Sequence, residues 1–122
     1  MVSYMPKISL KVKFEPEKLK ANSKNEAFAI LKVSNNESKP LWCESVVSVK
    51  LPLSLAHDKE SKTGFTRIGI VGPGKHMEKK IRIFTRPNNY PDKYGMSITL
   101  YAYDEQGVIA ERLEKQESIE CV

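Results

Sequence analysis

The sequence predicts an all-β fold, an antiparallel β-sandwich of about seven short strands in one domain. Three observations carry that expectation. Apolar residues recur at every second position in one segment after another, and turn-forming clusters interrupt them every ten residues or so. No stretch holds a long amphipathic helical pattern. At 122 residues the chain fits a single domain spanning 1–122, with its core over 7–121.

The elements follow in order. In "KISLKVKF", Ile8, Leu10, Val12 and Phe14 alternate with Lys7, Ser9, Lys11 and Lys13, the mark of a half-buried strand. A polar, Pro-containing connection leads to "AFAILKVSN", a second strand with Ala29, Leu31 and Val33 inward, which ends in the turn residues of "NNESKP". "CESVVSVKLP" is a third strand with Val47, Val49 and Leu51 inward and Pro52 closing it. "LSLAHDKESKTG" starts apolar and becomes a polar loop. "FTRIGIV" and "HMEKKIRIFTR" are strands joined by a "GPGK" turn, the latter with Ile81 and Ile83 inward. "PNNYPDKYG" is too rich in Pro, Asn and Gly to be anything but a loop. "MSITLYAYD" puts Met96, Ile98, Leu100 and Ala102 on one face and Thr99, Tyr101 and Tyr103 on the other. After the "DEQG" hairpin turn the last strand starts at Val108, with Ile109, Leu113, Ile119 and Cys121 in phase. Its many Glu and Lys residues leave strand and helical turn both open over 111–122.

Composition narrows the class. With 40% apolar and 29% charged residues the chain is globular. No apolar run approaches the ~20 residues that span a bilayer, so no membrane association is expected. The first residues, "MVSYMPKISLKVKF", lack the apolar stretch of a secretory signal, which makes the cytoplasm the expected compartment. On that expectation the sequon Asn36-Glu37-Ser38 carries no glycan. The net charge of +5 is unevenly spread. Residues 1–103 hold 18 Lys/Arg against 9 Asp/Glu, a net of +9, and residues 104–122 hold 2 against 6, a net of −4. Such a chain either reaches for an anionic partner or lays its acidic end against its own basic body.

Catalytic patterns are scarce. "GIVGPGKH" has the Gly-x4-Gly-Lys spacing of a phosphate-binding loop, but His76 stands where Ser or Thr would hold magnesium. Pro73 removes a backbone N–H, and the β-branched "KKIRIF" beyond continues as strand, which offers no helix dipole to a phosphate. A tight turn explains the letters better. His57, His76, Cys43 and Cys121 are too far apart in sequence for a zinc motif. No strained nucleophile elbow is present, and Asp104-Glu105 fall at a hairpin tip, too solvated for acid–base work. The expectation is a non-enzymatic protein without cofactor or metal.

The order of elements also resembles a known family. A lysine-rich first strand, an alternating second strand ending in "VSNNESKP", a strand ending in "KLPLSL", then "GPGKHMEKKIRI" and "YGMSITLYAYDEQG", together resemble the CARDB-type immunoglobulin-like sandwiches and the related α-galactosidase-associated domain. The resemblance covers 7–121. It implies an immunoglobulin-like topology and a non-catalytic spacer, adhesion or interaction module, with no shared active-site residues.

That topology has consequences for side chains. It puts Cys43 and Cys121 at opposite ends of the sandwich, so two reduced thiols are expected, Cys43 partly packed. It makes the first, second and fifth strands neighbours, which gathers Lys7, Lys11, Lys13, Lys32, Lys80 and Arg82 on one face with Phe28, Ile30 and Phe84 among them. A basic sheet face with aromatics is one way folds meet single-stranded nucleic acid or another polyanion. The ordinary alternative is a solvated face. A second candidate surface is the opposite sheet, with Tyr101 and Tyr103 outward and Trp42 nearby, residue types favoured at protein interfaces. The function read from these features is a structural or protein-interaction module, engaging a protein partner or a second copy. Polyanion binding through the lysine-rich face is the alternative.

Overall fold

The computed structural model describes residues 6–122; positions 1–5 of the expected domain, the first five residues on which the leader expectation rests, lie outside the described residues. Among the described residues the chain forms nine strands and no helix. The strands are β1 (Ile8–Glu15), β2 (Lys18–Leu19), β3 (Asn25–Asn35), β4 (Leu41–Val49), β5 (Leu53–Ser54), β6 (Thr63–Val71), β7 (His76–Thr85), β8 (Asp92–Tyr103) and β9 (Ile109–Cys121). Seven are long and match the expected set. β2 and β5, two residues each, are too short for any periodicity to reveal.

Two sheets face each other, one ordered β1-β3-β7-β5 and the other β2-β9-β8-β4-β6. The long pairings are all antiparallel. Alternation places one side of each strand between the sheets. The core holds Ile8 and Leu10 of β1, Ala27, Ala29, Leu31 and Val33 of β3, Cys43, Val47 and Val49 of β4, Ile83 of β7, and Met96, Ile98, Leu100 and Ala102 of β8. Each large side chain buried there contributes about 1.5–3 kcal/mol.

Buried polar residues tie the strand ends. Asn35, at the end of β3, is fully enclosed. Its Nδ2 donates to the Lys39 and Val71 carbonyls (2.8 and 2.9 Å) and its Oδ1 accepts from the Glu37 N–H at 2.8 Å. Its backbone bonds Lys75 and Gly74. The "GPGK" segment is thereby pinned as a turn, closed by Lys75 N–H to Gly72 O at 3.0 Å, with Gly74 at φ 67°. Pro at the second and a left-handed Gly at the third position suit a type II turn. It carries the chain from one sheet to the other, with no helix behind it. At the opposite end Asn89 is buried and donates to the Ser23 and Arg86 carbonyls and to Thr85 Oγ1.

Several expectations need correction. β4 stops at Val49, and a turn from Lys50 O to the Leu53 N–H (2.9 Å) puts Leu53, not Leu51, in the core; Leu51 is 53% exposed. "PNNYPDKYG" is loop only in its first part, because β8 begins at Asp92 and buries Tyr94, whose hydroxyl hydrogen-bonds the Tyr90 carbonyl. The acidic segment is strand to Cys121, starting at Ile109 rather than Val108. Pairing with β8 along its length overrides its weak β-propensity. Both thiols are free, and Cys43 is completely rather than partly buried.

Candidate interaction faces

On the outer face of the four-stranded sheet, directly opposed residues form rows. They run Lys11–Lys32–Glu78, Lys13–Ile30–Lys80, Glu15–Phe28–Arg82 and Glu26–Phe84. Five of the six cations named from sequence therefore share this face. Lys7 does not join them. It precedes β1, its N–H is bonded to Glu111 Oε2 at 3.1 Å, and it lines a cleft with Glu37, Asp104 and Glu105.

The face is less basic than its lysines imply. Glu15, Glu26 and Glu78 stand in the same rows, with Lys13 paired to Glu15 at 3.8 Å and Arg82 to Glu26 at 3.7 Å. The exposed pairs add little to stability, but the three carboxylates bring the five cations down to a net of +2 on the face a polyanion would meet. Lys80 and Arg82 sit 5.7 and 5.8 Å from the Phe28 ring centre, so that ring already carries cations. Ile30 is only 3% exposed. Its position amid Lys11, Lys13, Lys32 and Lys80 fits lysine stems lying over it.

The five-stranded sheet presents a different outer face. One row is Ile70–Trp42–Tyr103–Ile109, the next Arg67–Glu44–Tyr101–Arg112, the third Phe65–Val46–Thr99–Glu114. An apolar row and the apolar pair Phe65–Val46 thus flank a charged row. In that middle row the Arg112 guanidinium lies 5.9 Å from the Tyr101 ring centre, and Trp42 Nε1 donates to Glu44 Oε1 at 3.2 Å. Phe65 and Ile70 are 60% and 61% exposed, Ile109 53% and Trp42 38%.

Trp42, Tyr101 and Tyr103 were legible as an aromatic group. Phe65, Ile70 and Ile109 were not, and the cause is two β-bulges. In a regular strand Phe65 and Ile70 point to opposite faces, since five is odd. The register shift opposite Cys43/Glu44 inserts one residue, turns both outward, and leaves Gly69 at φ 115°. A second shift opposite Ala102/Tyr103 does the same for Ile109, which sequence parity had placed inward. Bulges re-aim side chains in this way. A glycine inside an alternating strand, here Gly69, was the one available signal.

Nothing else gathers chemistry. Among the described residues no three of His, Cys, Asp and Glu group as metal ligands. His57 lies in its loop against Phe84, ring centres 5.9 Å apart. Burial pushes the Cys43 thiol up to about 11, which keeps it protonated and unreactive at neutral pH.

No protein-family model and no curated protein matches this sequence. Solved structures do match its fold. A segment of native Escherichia coli α2-macroglobulin, solved from domain MG7 to the C-terminus, superposes with TM-score 0.68 at 15% identity over 94% of this chain. The cryo-EM reconstruction of the native E. coli protein gives 0.66 at 14% identity over 97%. This chain spans only 16% and 7% of those two molecules. The CARDB domain of a Pyrococcus furiosus protein, in complex with di-metal ions, matches over 100% of this chain and 95% of its own, with TM-score 0.55 and 15% identity. The fold is therefore a CARDB-like, immunoglobulin-type β-sandwich, the class of architecture the sequence resembled.

Proposed function

We propose that the protein is a non-enzymatic interaction module that binds a protein partner through the outer face of its five-stranded sheet. The single observation that carries this reading is the exposed row of Ile70, Trp42, Tyr103 and Ile109, with Phe65 and Val46 on the same face. A monomeric surface rarely leaves a row such as Ile70–Trp42–Tyr103–Ile109 exposed unless something covers it. Trp, Tyr and Arg at the centre are the residue types that dominate binding energy at interfaces. The architecture is consistent with the same class, since the matched solved structures include a segment of a longer α2-macroglobulin chain and a CARDB domain.

The test uses Trp42→Ser, Tyr103→Ser and Ile109→Ser together, all on strands away from the sheet edge at β6. Partners captured by the unaltered protein in nuclease-treated extract are expected to be lost by the triple variant, with its melting temperature within a few degrees. Partners that survive the triple change, or vanish on nuclease treatment, overturn the reading.

The second reading is polyanion binding by Lys11, Lys13, Lys32, Lys80 and Arg82, favoured by their convergence on one face. The three interleaved carboxylates and the occupied Phe28 ring make it the weaker of the two.

A further inference from the structure

Among the described residues four strand edges of the sandwich lack a full neighbour, and they are not alike. β1 ends one sheet, β7 is covered only at Phe84 and Thr85, β9 only at Glu120 and Cys121, and β6 ends the other sheet. Natural sheets guard such edges with charge. β1 carries Lys11, Lys13 and Glu15; β7 carries Glu78, Lys79, Lys80 and Arg82; β9 carries Glu111, Arg112, Glu114, Lys115, Glu117 and Glu120. β6, "TGFTRIGIV", has Arg67 alone in nine residues.

The backbone direction of β6 can be worked out. Val49 N–H donates to Lys62 O at 2.8 Å, and bonded pairs alternate along an antiparallel ladder. Lys62, Gly64 and Thr66 therefore turn their N–H and C=O toward β4, and Thr63, Phe65 and Arg67 turn theirs out of the sheet. Beyond Arg67 the bulge breaks the regular spacing, and Met77 of β7 packs there, its Cε 3.5 Å from where a Cβ on Gly69 would stand. The open template is Thr63 to Arg67.

We infer that this edge pairs with the same edge of a second copy, antiparallel about a two-fold axis at Phe65, to make one continuous sheet. Phe65 exchanges both hydrogen bonds with the partner's Phe65, and Thr63 exchanges them with the partner's Arg67. Charge selects this occupant and this register. The strand's only cation meets a threonine rather than its own copy, and Glu44 stands directly opposite Arg67 on β4 within the same chain. The two exposed Phe65 rings meet at the axis, where a cross-strand aromatic pair is favourable. The other three edges would bring three to six charged residues each to such a seam, where β6 brings Arg67 alone. This inference concerns the edge and does not depend on the face proposed above.

The experiment reads mass by light scattering and cross-linking by oxidation. The unaltered protein is expected to be a dimer at about 100 µM in ~0.15 M salt. Phe65→Pro removes an outward N–H that the fold does not use, and an edge tolerates proline there. That variant is expected to be a folded monomer, whereas the Trp42/Tyr103/Ile109 triple variant stays dimeric. Phe65→Cys is expected to form an intermolecular disulfide under mild oxidation, because hydrogen-bonded partners have Cα atoms ~5.5 Å apart, within bridging range. Ser48→Cys, exposed on the same sheet but off the edge, is expected not to. A monomer at that concentration overturns the inference, as does a dimer that persists in Phe65→Pro. Should Phe65→Pro fail to fold, equal cross-linking at positions 65 and 48 overturns it as well.

Discussion

Cys43 shows at the scale of one side chain how burial becomes a measurable property. It faces the core from the third position of β4, completely enclosed, and loss of solvent raises its pKa from 9.0 to about 11. Below pH 9 both folded and unfolded thiols hold their proton, so this group adds no pH dependence. Between pH 9 and about 11 the unfolded thiol ionises and the folded one resists, which favours unfolding. Two units correspond to roughly 2–3 kcal/mol at most. Urea titrations of the unaltered protein and of Cys43→Ala across pH 8 to 11 are expected to diverge in this window. The unaltered protein loses up to that amount relative to the variant, and parallel curves would show the thiol is not sequestered.

At the scale of the element, the four-stranded sheet is the instructive case. Its strand pairing was legible, and so was the sharing of one face by Lys11, Lys13, Lys32, Lys80 and Arg82. Parity also sets Glu15, Glu26 and Glu78 on that face, carboxylates that a count of cations alone leaves out, and what it could not convey was the register that brings Arg82 to Glu26. A labelled single-stranded oligonucleotide is therefore expected to bind weakly in ~20 mM salt and without saturation at ~0.2 M, as for a face with few free charges. Saturable binding at the higher salt, abolished by changing Lys11, Lys13, Lys80 and Arg82 to Gln, would reinstate the polyanion reading. The same limit of parity explains the apolar face. Alternation read Ile98, Leu100 and Val47 correctly because their strands are regular there. It misplaced Ile109 and overlooked Phe65 and Ile70 because each lies beside an inserted residue, and one insertion flips everything beyond it. Leu51 failed for a related reason: a strand end is set by a turn hydrogen bond, here Lys50 to Leu53, which no apolar pattern contains.

At the scale of the molecule, the edge and the face make separable demands. Pairing two β6 edges about Phe65 extends the sheet sideways and leaves the outer face open. The apolar rows of both copies then lie on one surface, offering a partner two linked sites, which strengthens binding without new contacts. Trp42, the only tryptophan in the chain, reports on this arrangement because it sits in the exposed row opposite Ile70, beyond the bulge and outside the Thr63 to Arg67 seam. Its acrylamide quenching is expected to be unchanged between dilute monomer and concentrated dimer. Adding a captured partner is expected to shield it and shift its emission to the blue, as a half-exposed ring becomes enclosed. Shielding on concentration alone would mean that copies meet through the face, and the pairing at Phe65 would then have to be abandoned.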